Sequence, residues 1–171
     1  MDELYFEPQS LLQCGVHAVN NLLGEAVFAR GDFERFADEL TPGWWNPHKA
    51  LFGVGNYDVN VLEYALLQRG VEVVWHDNRR RFDVADVPEQ CCGLIVNVKS
   101  NAWLATIIGG RHWISLRRIG RAWFNCDSAE KRPYPFPDDQ DVNTYVRTAI
   151  RELDGYCLVT VRVDNENGAK L

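Results

Sequence analysis

What the chain is short of narrows the possibilities first. Basic charge is in deficit, with 18 Lys and Arg against 24 Asp and Glu, a net charge of −6 and a pI near 5.2. That leaves no basic face of the kind a nucleic-acid partner requires, so none is expected. The one dense basic run, Arg79-Arg80-Arg81, is read as a solvated turn beside Asp77 and Asn78. Cysteine is odd in number (Cys14, Cys91, Cys92, Cys126, Cys157), without a C-x-x-C pair or framework spacing. Reduced thiols in a cytoplasmic or nuclear setting are therefore expected. There is no H-E-x-x-H, and Cys91 and Cys92 are adjacent, so no metal is expected. No apolar run approaches the roughly 18 residues of a membrane helix. Met1-Asp2-Glu3-Leu4 is acidic, unlike the basic start of a signal peptide. The expectation is a soluble intracellular protein.

What is present suffices for one well-buried domain. The chain has 171 residues, 46% hydrophobic and 12% aromatic, and a domain of about 150 residues buries about 68–70% of its unfolded surface. We expect a single domain over residues 1–163 and a polar tail, Asp164 to Leu171. Leu12, Val16, Val19 and Leu23 recur at helical spacing, widened by Leu11, Ala18 and Leu22, so a first helix buried on most sides should end at Gly24. Asp32 can cap a second helix with Phe33, Phe36, Ala37 and Leu40 inward, stopped by Thr41-Pro42-Gly43. A third, from about Asp58 to Arg69, turns Val59, Leu62, Ala65 and Leu66 inward and ends at Gly70. Between these two helices, Trp44 to Tyr57 is rich in aromatics and glycine, either a contact surface or packing beneath a loop.

Beyond Gly70 the pattern changes to strands over 71–75, 93–98, 112–118, 122–127 and 156–163. One helix from near Asp141 interrupts them, preceded by the proline-stiffened loop Lys131 to Asp139. Helices first and then mainly consecutive strands predict an α+β fold with an antiparallel sheet.

Two stretches carry the chemistry. Ser10 and Gln13 fit an S-x-x-Q capping box, which would start the first helix near Leu11 and leave Cys14 within or just past its first turn. Unpaired N–H groups and the positive end of the helix dipole favour a thiolate there, although a helical cysteine can equally be a small buried hydrophobe. Further on, a turn centred on Ile119-Gly120 pairs Arg118 with Arg121 and sets His112 opposite Asp127, with Asn125 as the alternative partner on the same face. A carboxylate behind a histidine orients the imidazole, and the imidazole takes a thiol proton and later delivers it to a leaving amine. A surface His–Asp pair is the structural alternative. The chain order Cys, His, Asp on helices followed by a sheet matches the papain-like arrangement. Gln9, five residues before Cys14, has the position of a papain-type oxyanion donor, worth about 3–4 kcal/mol in the transition state; Gln13 competes for that role. His17, one turn from Cys14, is either a second base or a packing residue.

Gln9 with Cys14 to Leu22, Gly53 to Val61, and His112-Trp113-Ile114 followed by Trp123 to Ser128 resemble the Josephin family of deubiquitinating cysteine proteases. The likeness spans about Tyr5 to Val163 and is greatest to the short members that consist of a Josephin domain alone. It implies a papain-like fold in which an N-terminal helical part with a helical arm near residues 30–57 packs on the sheet. It further implies hydrolysis of the (iso)peptide bond after ubiquitin's C-terminal Gly-Gly, without cofactor, by a monomer whose partners are ubiquitin, polyubiquitin and ubiquitinated proteins. Carried over, Cys14 is the nucleophile, His112 the base and then acid, Asp127 the orienting group, where some members have Asn, and Gln9 the oxyanion donor. A catalytically silent ubiquitin-binding module and a papain-fold peptidase of other specificity are the alternatives.

Overall fold

The computed structural model describes residues 4–9, 13–42, 57–99 and 110–163. Ser10, Leu11, Leu12, most of the aromatic stretch before Tyr57, and the tail from Asp164 lie outside the described residues. Among those described, helices α1 (Cys14–Leu23), α2 (Arg30–Leu40) and α3 (Val59–Leu67) come first. Strands β1 (Val71–Trp75), β2 (Cys91–Lys99), β3 (Arg111–Ile119), β4 (Ala122–Asn125) and β5 (Tyr134–Pro135) follow, then helix α4 (Asp139–Glu152) and strand β6 (Tyr156–Arg162). The sheet order is β1-β6-β2-β3-β4-β5, and every pairing is antiparallel. This is the α+β arrangement expected from the segregation of helical and strand periodicity. No described helix is long and apolar enough to cross a membrane.

The central strands bury both faces. On one side α1 to α3 cover Ile95, Trp113 and Leu158; on the other, α4 covers Leu94, Val96, Ile114, Leu116 and Val159. Alternate residues of β2 and β3 thus enter different cores, as a two-residue side-chain period requires. In α1 every residue but His17 is buried, and Gly24 closes the helix at φ +79°, a left-handed position that glycine takes without a Cβ penalty.

Three local expectations are corrected. The α1 N-cap is Gln13, with no side-chain capping bond, so Gln13 is not the third residue of a capping box. In α2, Asp32 lies one turn inside the helix, where its carboxylate accepts from Ala29 N at 2.9 Å. Leu40 is 37% exposed while Phe33, Phe36 and Ala37 are buried. By contrast α3 starts about where expected, with Asp58 as its cap accepting from Asn60 N and Val61 N, and Arg79 pairs with Asp77 at 2.8 Å on an exposed turn.

Candidate active site

Cys14 is the first residue of α1. The first helical bond runs from His17 N to Gln13 O at 3.2 Å, so the N–H of Cys14 belongs to the set a helix leaves unpaired at its start. That places the sulfur at the positive end of the helix dipole more directly than a start at Leu11 would have done. The helix is held there by close packing: a Cβ at Gly15 would lie 3.2 Å from Leu62 Cδ1 and 3.6 Å from Trp113 Cδ1.

His112 is the second residue of β3. Its neighbour Arg111 locks the strand end, donating to Asn97 Oδ1 and, at 2.6 Å, to Asp154 O, with its guanidinium over the Tyr156 ring. Trp113 on the other side donates to Tyr57 O at 3.0 Å. The imidazole between these two anchors has little freedom to wander.

Asp127 reaches His112 by a different register from the one expected. The β3–β4 turn is Gly120-Arg121: Ile119 is still in strand and pairs with Ala122, Arg118 with Trp123 and Leu116 with Asn125. Gly120, at φ +59°, takes the left-handed turn position that a β-branched isoleucine resists. A shift of two residues keeps every side chain on its face, so Asp127 becomes a diagonal neighbour of His112, and diagonal neighbours remain within reach. The ladder ends with Cys126 N to Ser115 O at 2.9 Å. The chain then turns, and Asp127 Oδ1 lies 2.6 Å from His112 Nε2. With 16% and 14% side-chain exposure, the pair is not the surface ion pair that the alternative reading required.

Asn125 does not touch the imidazole in any described bond. Its Oδ1 accepts from Asp127 N at 2.8 Å and its Nδ2 donates to Tyr134 OH at 2.8 Å. It therefore holds the backbone of Asp127, while Ala129 N donates to Asp127 Oδ1 at 2.9 Å. Asp127 occupies Nε2 of the ring, and Cys14 is near enough to the same imidazole to favour its protonated form. Burial pulls the imidazole toward its neutral form, but the Asp127 carboxylate and then Cys14 outweigh it, and His112 is pushed up to about 10. Both partners therefore favour an imidazolium beside the sulfur. Cys91 and Cys126 are instead pushed up to about 11 by burial, and Cys157 is raised by the same cause. All five cysteines are free.

Gln9 is brought to the same corner, its N–H donating to Ser128 O at 2.5 Å. Its Oε1 is buried without a hydrogen-bond partner among the described residues. His17 is engaged by Glu7: its Nδ1 lies 2.6 Å from Glu7 Oε2. Glu7, Asn20 and Tyr5 were not singled out from sequence, although two adjacent asparagines inside an apolar helix signalled a need for buried partners. Among the described residues no group of three His, Cys, Asp or Glu side chains is arranged to hold a metal ion.

A sulfur at a helix start, a sheet-borne histidine and a carboxylate behind it, on helices packed against an antiparallel sheet, define the papain-like class. The family model described as Josephin matches residues 9–161. Josephin-2 from Mus musculus is 36% identical over 167 residues, 95% of this chain and 87% of the relative. Josephin-2 from Homo sapiens is 35% identical over the same shares. A Josephin-like protein from Drosophila melanogaster is 36% identical over 154 residues, 86% of this chain and 69% of the relative. The chain belongs to the Josephin family, which includes deubiquitinases.

Proposed function

We propose that the protein is a deubiquitinase that cleaves the peptide or isopeptide bond after ubiquitin's C-terminal Gly-Gly. The observation that carries the reading is the His112–Asp127 pair, 2.6 Å apart, with Cys14 at the helix start beside the same imidazole. The thiolate of Cys14 attacks the scissile carbonyl carbon. The oxygen of the tetrahedral intermediate, now negative, is met by Cys14 N–H and by the amide of Gln9. A half-turn about the last side-chain bond exchanges the two ends of that amide, so the unpaired end can present Nε2 as a donor; such a donor is worth about 3–4 kcal/mol.

The His112 imidazolium then protonates the departing amine, the C–N bond breaks, and ubiquitin is left as a thioester on Cys14. Neutral His112 next takes a proton from water, the resulting hydroxide displaces the sulfur, the carboxylic acid product leaves and gives its proton to solvent, and the Cys14 thiolate beside the His112 imidazolium is restored. Asp127 keeps the ring oriented and stabilises its charged form. The work would be done by a monomer in the cytoplasm or nucleus.

Turnover of ubiquitin carrying a C-terminal fluorogenic amide tests the reading. Wild-type protein should release the fluorophore and Cys14→Ala should not. Equal release by both would remove the thiol mechanism.

A further inference from the structure

Gln9 has a side chain whose Oε1 finds no hydrogen bond among the described residues, and the described bond that fixes this residue is made by its backbone. That backbone is anchored two residues earlier. The Glu7 carboxylate meets His17 Nδ1 at 2.6 Å and Asn20 Nδ2 at 3.0 and 3.2 Å, and accepts from Tyr5 OH. The Glu7 main chain is gripped as a strand partner would grip it: its N–H donates to Asn21 Oδ1 at 2.6 Å and its carbonyl accepts from Asn21 Nδ2 at 3.0 Å. Asn21 is fully buried and also donates to Cys126 O at 3.2 Å, next to Asp127. Asn20, 1% exposed, ties the assembly onward through Phe28 O, Val27 N and Phe28 N.

Between the anchor and Gln9 stands a single residue, Pro8. Proline fixes its own φ and holds the preceding residue extended, so the link is a stiff lever with few free torsions. Its far end is clipped by the bond from Gln9 N to Ser128 O.

We propose that Glu7 is a positioning residue for the oxyanion donor, setting Gln9 over Cys14 through Pro8, with Asn20 and Asn21 as its seat on α1. This rests on the deubiquitinase reading and deepens it. Glu7 touches no reacting atom; it removes freedom from the group that does. A misplacement of about 1 Å at such a group can cost about 100-fold in rate.

The test is a mutant cycle on the full chain with the fluorogenic ubiquitin amide. Glu7→Ala should lower kcat about 10- to 100-fold with KM little changed, and Glu7→Gln, which keeps an oxygen for Asn20, should recover part of the loss. Pro8→Gly, at an exposed position, should lower kcat in the same sense with an unchanged melting temperature, and it decides the matter if Glu7→Ala fails to fold. In a Gln9→Ala background neither change should cost more, and the rate at which iodoacetamide captures Cys14 should be unchanged in all variants. Full additivity with Gln9→Ala, or alkylation falling in step with kcat, would overturn the proposal. Wild-type turnover by Gln9→Ala itself would instead remove the oxyanion role from the underlying reading.

Discussion

Replacing Asp127 by Ala removes the carboxylate that lies 2.6 Å from His112 Nε2. Burial pulls this imidazole down, and Asp127 followed by Cys14 pushes it up to about 10. A hydrogen bond to a charged group contributes about 1.5–3 kcal/mol, and about 1.36 kcal/mol corresponds to a tenfold change in proton affinity. Loss of Asp127 should therefore lower the midpoint at which His112 gives up its proton by about one to two pH units. The assay is NMR titration of the carbon-bound ring protons, with His112→Gln assigning the resonance. Turnover should fall about 10²- to 10⁴-fold, the range for a disabled acid–base group. Asp127→Asn should fall less, because it keeps an oxygen to orient the ring. A His112 midpoint that stays in place in Asp127→Ala would refute the claim that this carboxylate holds the imidazolium.

The same pair predicts how stability responds to pH. His112 titrates higher folded than at its ordinary 6.5, so its contribution is fully present below about 6.5 and is lost as pH rises toward about 10. Melting temperature should decline across that window, and the decline should be shallower in Asp127→Ala. Gly93→Ala places a Cβ 2.4 Å from Leu116 O and 2.5 Å from Leu22 Cδ1; urea unfolding should show a loss of about 1–3 kcal/mol or more, because backbone cannot step aside. Gly15→Ala meets the flexible end of Leu62 at 3.2 Å, lies at ordinary contact distance, 3.6 Å, from Trp113 Cδ1, and gains helix propensity of up to about 1 kcal/mol, so stability and turnover should stay near wild type. His17→Gln should leave both limbs of the pH–rate profile in place, whereas His112→Gln abolishes turnover; a lost limb in His17→Gln would return His17 to the chemistry.

Legibility in the sequence followed the strength of local signals. Periodicity located α1, α3 and the long strands, because their apolar faces meet two cores on opposite sides of one sheet. Boundaries set by competing caps were harder: an S-x-x-Q pattern pointed to a start at Leu11, yet α1 begins at Cys14. The His112–Asp127 pairing was anticipated through a turn placed one residue early, at Ile119-Gly120. It survived because the resulting two-residue slip preserves the face, where a slip of one would have turned Asp127 away. The positive φ of Gly120, beside an isoleucine that prefers strand, was the available clue. Strand β5, only Tyr134–Pro135, is too short to leave a period. Glu7 left none either, since its helix partners lie 10 to 14 residues on, in an apolar helix whose adjacent asparagines named the need without naming the partner.

The central claim is that Cys14 is a nucleophile aimed at the ubiquitin C-terminus. Ubiquitin bearing a C-terminal electrophile tests it most directly. The account predicts a covalent adduct of one ubiquitin per chain, mapped to Cys14 and absent from Cys14→Ala and His112→Gln. Reversible binding without an adduct would contradict it in favour of a silent binding module, and neither binding nor adduct would point to a papain-fold peptidase of another specificity.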